Sequence, residues 1–192
     1  MTTDGLTLLT TRASVGPKHL TEPAPDEAQL RTMLEAALHA PDHGELVPFR
    51  FKVVRGPARQ AMARLFGEAA RRAGKDEAGV ALDEERALQA PVTIAVVARL
   101  DLHHPQIPAH EQWIAVGGAL ANFLNAAHAL GFGGKMLSGA KARDPEVAAA
   151  FCDPGETLVG WIALGTPAKA PKARAAKAAG EGALMPWPSG CE

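Results

Sequence analysis

The longest charge-free segment of the chain runs from Gln112 to Gly134 and contains no Asp, Glu, Lys or Arg. A helix that is apolar on every side must be buried, either in a membrane or at the centre of a globular protein. Asn122, Asn125 and His128 lie within the segment, and such polar side chains are costly in lipid. The sequence therefore predicts a buried central helix and no membrane insertion.

Length, charge and cysteine content narrow the class of protein. The chain has 192 residues and a formal net charge of -1, which fits one globular domain and gives no basic field for nucleic acid. Cys152 and Cys191 are far apart in sequence and form no C-x-x-C pair. The N-terminus lacks the features of a signal peptide. We expect a single cytoplasmic domain over residues 1–192, with an extended tail from about residue 168 that a partner chain would hold.

Periodicity predicts alternating helices and strands. We predict strands over residues 49–53, 92–98 and 157–164, with helices over about 3–13, from 25 to 40, after Pro57, over 112–130 and from 145. The charged segment 75–89 is interpreted as an exposed helix or a mobile lid. Gly131-x-Gly133-Gly134 follows a helix, whereas a dinucleotide-binding glycine motif must follow a strand. Three strands around one buried helix therefore indicate an α+β sandwich rather than a Rossmann domain.

Two apolar patterns predict which faces are buried. In the second helix the apolar positions recur at helical spacing and consist of Leu30, Met33, Leu34, Ala37 and Leu38. In the first strand Phe49, Phe51 and Val53 alternate with charged residues. Both elements are expected to bury these side chains against the core.

Few residues offer independent chemistry. Arg12 and Ser14 end the first helix and could bind a phosphate, although an isolated arginine there is more often simply solvated. His39 and His43 have the spacing of a helical metal pair, but Pro41 breaks the helix between them. A histidine-bound metal stays an alternative, and we expect no metal site. Cys152 has no recognisable base nearby, so nucleophilic catalysis has no support.

A set of short segments nevertheless occurs in a familiar order between about residues 6 and 168. They are Leu8-Leu9-Thr10-Thr11-Arg12-Ala13-Ser14, Thr21-Glu22-Pro23-Ala24-Pro25, Ala40-Pro41-Asp42-His43, Pro48-Phe49, Ala90-Pro91, Glu111-Gln112, Gly131-Phe132-Gly133-Gly134, Ser138-Gly139 and Leu164-Gly165-Thr166-Pro167. Together they resemble the FMN-dependent nitroreductase family, and in particular its shortest members.

The resemblance implies a fold, a cofactor and an assembly. The fold would be a three-layer α+β sandwich in which helices surround a mostly antiparallel sheet. Two copies would form a homodimer with two FMN molecules at the subunit interface. NAD(P)H would reduce the flavin, and the flavin would then reduce a small nitroaromatic or quinone-type acceptor in a ping-pong reaction. The flavin carries this chemistry, so no catalytic protein residue is expected.

The resemblance also implies site residues. Arg12, Ala13 and Ser14 would approach the FMN phosphate and ribityl chain. His39 and His43 would approach the same FMN from the partner subunit. The residues near the flavin ring would be Met136, Leu137 and Ser138. The nicotinamide nucleotide would meet the segment Ala126, Ala127, His128, Ala129, Leu130 and Gly131.

The sequence departs from the family pattern where cations are usual. Ala13, His39 and Leu137 stand at positions that usually carry arginine, so we expect weaker FMN binding and an uncharged slot beside Leu137. Lys135, Lys169, Lys172 and Arg174 would restore positive charge, or the last three form a solvated basic tail. The alternative function is a flavin- or ligand-binding protein of this fold with little turnover. The sequence does not choose between NADH and NADPH.

Overall fold

The computed structural model describes residues 4–170, 183–184 and 187. Its α-helices are α1 (Gly5–Thr11), α2 (Glu27–Leu38), α3 (Pro57–Arg72), α4 (Glu77–Ala87), α5 (Ala109–Ala129) and α6 (Pro145–Phe151). Its strands are β1 (Leu20–Thr21), β2 (Phe49–Val54), β3 (Val92–Ala98), β4 (Gly133–Leu137) and β5 (Thr157–Pro167). Three short 3₁₀ turns cover Pro17–His19, His43–Glu45 and Ala140–Arg143.

The strands form one antiparallel sheet centred on β3 and β5. β2 pairs with β3, β3 with β5, and β5 with β4, while β1 pairs with the last two residues of β5. Every residue of β3 is buried, as its continuous apolar run predicts. The α+β prediction with a mostly antiparallel sheet is therefore confirmed.

Helices cover both faces of the sheet and give three layers. On one face α2 and α5 bury Met33, Val116 and Phe123 against Ile94 and Ile162. On the other face α3 and α6 pack against the opposite side chains of the same strands, including Trp161. Adjacent strand residues point to opposite faces, so each strand contributes to both cores.

The charge-free segment is α5 and the start of β4, as predicted. Ala115, Ala119 and Ala127 have at most 1 % of their surface exposed, and the last two pack in the same core cluster as the strand side chains. The described residues leave the other side of α5 uncovered, because Trp113 is 39 % and Ile114 63 % exposed. No helix in the described ranges is long and apolar enough to cross a lipid bilayer.

Two predicted helix starts have the expected caps. Asp26 accepts a hydrogen bond from the Gln29 amide at 2.8 Å, and the Gln29 side chain accepts one from the Asp26 amide at 2.9 Å. Asp144 accepts hydrogen bonds from the Glu146 and Val147 amides at 3.1 and 3.0 Å. These caps fix where α2 and α6 begin.

Some expectations about elements are wrong. β1 and β4 were not predicted, and the first helix is shorter than residues 3–13. β4 carries two glycines, which usually argue against a strand. Here they make room, since a Cβ on Gly133 would lie 2.9 Å from both Leu20 and Pro167. The extended tail from about residue 168 falls almost wholly outside the described residues.

Burial also differs from the patterns at three positions. Leu34 and Leu38 lie on the outer side of α2 and are 39 % and 50 % exposed. Val53 is 46 % exposed on the end strand β2, although it was expected to be buried. The segment 75–89 forms α4, which packs so closely on α3 that a Cβ on Gly67 would overlap Glu84. Close packing argues against a mobile lid.

Candidate active site at the β4 edge of the sheet

The loop after α1 runs beside β4. Ser14 forms a parallel bridge with Gly134, and the Val15 amide donates a hydrogen bond to the Gly134 carbonyl at 3.2 Å. Arg12 ends α1, where its own amide donates to the Leu8 carbonyl. The structure therefore places two predicted FMN segments, 12–14 and 136–138, at the same edge of the sheet.

A cavity of about 540 Å³ opens next to this edge. The segment 16–18 forms one wall, and Leu137 and Ser138 form another. Trp161 and Thr93 of the sheet form the floor, and α3 and α4 close the remaining sides. The volume is within the range of small-molecule sites, about 300–1,000 Å³. Of the predicted flavin residues, Leu137 and Ser138 line the cavity directly.

The turn that follows β4 shapes the rim of the cavity. Ser138 donates a hydrogen bond from its hydroxyl to the Val159 carbonyl at 3.2 Å, which fixes the end of β4 against β5. Gly139 has a φ of 125°, a backbone conformation that strongly favours glycine. The Ser138-Gly139 pair therefore allows the chain to leave the strand at the cavity and enter the 3₁₀ turn over 140–143.

Positive charge dominates the lining. Lys18, Arg86, Lys135 and Lys141 all contribute to the cavity wall, against the single carboxylate of Asp83. Lys18, Arg86 and Lys135 form no ion pair with another described residue. The slot beside Leu137 is therefore cationic, contrary to the expectation of an uncharged one. Lys135 was the only one of these cations that the sequence suggested as a replacement for the missing arginines.

Asp83 is the most buried ionisable group at the cavity. It is 4 % exposed and accepts hydrogen bonds from Lys75 at 2.7 Å and from Lys141 at 2.8 Å. Burial raises the pKa of the Asp83 carboxyl, but the bonds from Lys141 and Lys75 outweigh burial and leave the pKa below its ordinary value. Asp83 therefore stays ionised at neutral pH.

The cavity floor also holds an unsatisfied donor. The indole Nε1 of Trp161 is buried and has no hydrogen-bond partner among the described residues. The ring packs edge-on against Phe66, with the centroids 4.9 Å apart. A planar ligand with an anionic group is the chemical match for these aromatic rings and the surrounding cations. FMN has all of these features, so the donor set fits it.

The histidines predicted to contact FMN lie elsewhere in the chain. His43 Nδ1 lies 2.7 Å from Glu111 Oε2, at the start of α5. The neighbour of His39 is Ala40, which packs against the middle of α5, where a Cβ on Gly118 would lie 3.1 Å from Ala40 Cβ. Both imidazoles are exposed. One chain does not bring these two histidines to the cavity.

The segment predicted to meet the nicotinamide nucleotide, 126–131, is the last turn of α5 and its C-cap. His128 Nε2 lies 3.3 Å from the Thr11 hydroxyl, so this turn adjoins the end of α1 and Arg12. A helix C-terminus carries partial negative charge and does not attract phosphate by itself. The role of this segment remains a prediction.

The sequence missed the α3–α4 side of the cavity. Asp83 and Arg86 lie in the segment that was interpreted as a charged surface or lid, and nothing in the local pattern marks them. The sequence does contain one signal of this wall, because Val80, Asp83 and Ala87 have the helical spacing of a buried face. A carboxylate in that series indicates a paired internal charge.

Two observations on the described residues concern the metal and thiol alternatives. No group of three or more His, Cys, Asp or Glu side chains that could hold a metal ion occurs within the described ranges. Burial and the nearby Glu156 raise the pKa of the Cys152 thiol, which keeps it protonated and poorly nucleophilic at neutral pH.

Comparison with known proteins identifies the family. The model of the nitroreductase family matches residues 9–166. The chain belongs to the nitroreductase family. It is 37% identical over 165 residues to the Escherichia coli K12 protein named "Putative NAD(P)H nitroreductase YdjA", covering 85% of this chain and 88% of that protein. The predicted resemblance is thereby confirmed.

Solved structures of the nitroreductase family agree with the fold. The nitroreductase-like protein from Bacillus cereus superposes with a TM-score of 0.81 at 25% identity, covering 99% of this chain and 98% of that one. A nitroreductase from Desulfovibrio desulfuricans, solved in complex with FMN, has a TM-score of 0.71 at 24% identity over 98% of this chain and 100% of its own.

Proposed function

We propose that this chain is an FMN-dependent NAD(P)H oxidoreductase that works as a homodimer and reduces small nitroaromatic or quinone-type acceptors. The observation that carries the proposal is the cationic, aromatic-floored cavity between the loop after Ser14 and the end of β4. Family membership, the name of the Escherichia coli relative and the FMN in the Desulfovibrio structure support it.

The residues at this edge have distinct tasks in the proposal. Arg12 and Ser14 would hold the phosphate end of FMN, through a charge-assisted hydrogen bond and a hydroxyl donor. The ring would lie in the cavity, against Leu137 and within reach of the cations. Bound FMN supplies the hydride-accepting and electron-donating chemistry. The protein contributes binding, orientation and positive charge, which attracts electron density to the ring.

The distance along α5 supports a site shared between two copies. His43 contacts Glu111 at one end of the helix, and Thr11, next to Arg12, contacts His128 at the other. Seventeen residues at 1.5 Å each separate these points by about 25 Å. Two side chains that bind one phosphate must lie within about 8 Å, because each makes a contact of about 2.8 Å. His43 can therefore join Arg12 at one FMN phosphate only from a second copy.

An exposed apolar surface gives that second copy a place to bind. We call it the outer α2–α5 face: Leu34 and Leu38 of α2 with Trp113, Ile114 and Gly117 of α5. The two helices pack against each other, and exposed apolar side chains on neighbouring elements mark interfaces more often than isolated ones do. Gly117 has no side chain and so allows close approach, and a Cβ there would meet no atom of the described residues within 4 Å.

Flavin binding and turnover test the cofactor part of the proposal. The purified protein should retain FMN on gel filtration, and NADH or NADPH should bleach its absorbance under anaerobic conditions. Adding a quinone should then restore the absorbance. Retained flavin without bleaching by either nucleotide would refute the oxidoreductase and leave a flavin-binding protein. Failure to bind FMN would refute both.

A glutamate at Gly117 tests the dimer. A Cβ at position 117 meets no described atom within 4 Å, and replacing glycine inside a helix favours the helix by about 0.5–1 kcal/mol. We expect a folded monomer in sedimentation velocity, with the far-UV spectrum preserved. Ala81→Glu, an equally exposed site on α4, is the matched control and should leave the dimer intact. A Gly117→Glu dimer of unchanged affinity would exclude this face as the interface.

A further inference from the structure

Asp83 is buried at the wall of the cavity, although the hydrophobic packing of α4 does not depend on it. Its neighbours Val80 and Ala87 supply the apolar contacts of the helix. Its carboxylate instead joins two lysines from different elements. Lys75 precedes α4, and Lys141 lies in the 3₁₀ turn that follows Ser138-Gly139.

The Asp83–Lys141 ion pair does more than join α4 to the turn over 140–143, because it also changes the charge at the cavity wall. Lys141 lines the cavity and also lies over the Phe66 ring, with its Nζ 5.7 Å from the centroid. Its positive charge is directly opposed by Asp83, which lines the same wall. Lys75 does not line the cavity. A ligand in the cavity therefore experiences the cation of Lys141 and the anion of Asp83 together.

We propose that Asp83 sets the reduction potential of the flavin held in this cavity, by offsetting the cations that line it. The inference rests on the proposed function. Uptake of two electrons and one proton adds one negative charge to an oxidised flavin. Cations nearby stabilise that charge and a carboxylate opposes it, more strongly in a site that excludes water. Asp83 therefore keeps the potential lower than the four cations alone would make it.

Two substitutions on the same ion pair give opposite predictions. Asp83→Asn keeps the size of the side chain but removes the negative charge, so the potential should rise. Lys141→Met removes a cation, so the potential should fall. We expect each to change the ratio of affinities for reduced and oxidised FMN about tenfold, which is about 30 mV for a two-electron couple. If Asp83 were merely structural, Asp83→Asn would leave the potential unchanged or shift it in the same direction as Lys141→Met.

The experiment is an anaerobic dye-equilibrated reduction of the FMN-loaded protein and its variants. Glu84→Gln is the matched control: it removes one carboxylate from the next position of α4, outside the cavity wall, and should leave the potential unchanged. Melting temperatures report folding independently. If Asp83→Asn does not fold, the same change is made in the Lys141→Met background, where the potential should be higher than in Lys141→Met alone, and an equal or lower potential overturns the proposal.

The outcomes separate this inference from the proposed function. If the unsubstituted protein binds no FMN, both fail. If it binds FMN but the two variants shift the potential in one direction or leave it unchanged, only the inference fails. Opposite shifts with a silent Glu84→Gln establish Asp83 as the residue that tunes the flavin.

Discussion

Complementation between two variants that bind FMN weakly tests the shared site. Arg12→Ala removes a charge-assisted contact to phosphate, which weakens FMN by about 2 kcal/mol, or about thirtyfold. We expect His43→Ala to weaken FMN as well, through the partner's site. Each homodimer then carries two damaged sites. Subunit exchange between the two variants should restore flavin binding.

The size of the recovery follows from the geometry. Arg12 and His43 lie at opposite ends of α5, about 25 Å apart along its axis. In a mixed dimer one site combines both intact side chains, and the other combines both substitutions. Random exchange in a two-fold dimer makes half of the dimers mixed, so about a quarter of all sites should recover tight FMN binding.

Flavin retained after gel filtration measures this fraction, and native mass spectrometry shows that mixed dimers form. The doubly substituted chain mixed with the unsubstituted protein is the reciprocal arrangement. There, exchange should reduce intact sites from half to about a quarter, since every mixed dimer damages both of its sites. His103→Ala, in an exposed loop, should retain FMN like the unsubstituted protein. Mixed dimers that recover no flavin would show that His43 does not serve the partner's site.

Three further outcomes are expected. Phe123→Ala should lower the free energy of unfolding by about 3–5 kcal/mol in urea titrations, because this 2 % exposed ring packs 4.8 Å from Phe51. The pKa of Asp83 is lower in the folded state than its ordinary value, so the ionised carboxylate stabilises the fold above pH about 4, and this stabilisation is lost as the pH falls further. Asp83→Asn should therefore reduce the dependence of urea unfolding on acid pH. Initial rates with NAD(P)H and a quinone should give parallel double-reciprocal lines, whereas intersecting lines would exclude a ping-pong order.

The sequence predicts elements well where local pattern and burial agree. β3 and α5 are apolar throughout, and α2 and α6 begin at acidic caps that form as expected. The sequence does not predict β4, because its glycines are required by tertiary packing: a Cβ on Gly134 would lie 3.0 Å from Leu124 of α5. No local pattern records that close approach.

The candidate site is predictable only in part for the same reason. Arg12 to Ser14 and Met136 to Ser138 are short segments with family-like sequence, and the fold brings them to one edge. The cavity's other wall comes from α4, whose contribution depends on how α3 and α4 pack. Asp83 reads as one more surface acid in a charged segment until that packing pairs it with Lys141. The spacing of residues in the sequence does not predict an ion pair between residues that are so far apart in the chain.

The charge-free segment that first constrained the fold is also the segment on which the proposed homodimer depends. A helix needs an apolar stripe, not an apolar circumference, to pack on a sheet. In α5 the sheet covers the inner stripe, but no residue in the described ranges covers Trp113 and Ile114 on the outer side. Leu34 and Leu38 of α2 extend the same exposed surface. In the proposed dimer, a second copy would cover that surface of α5. The same copy would bring its His43 to the FMN phosphate beside Arg12 of the first.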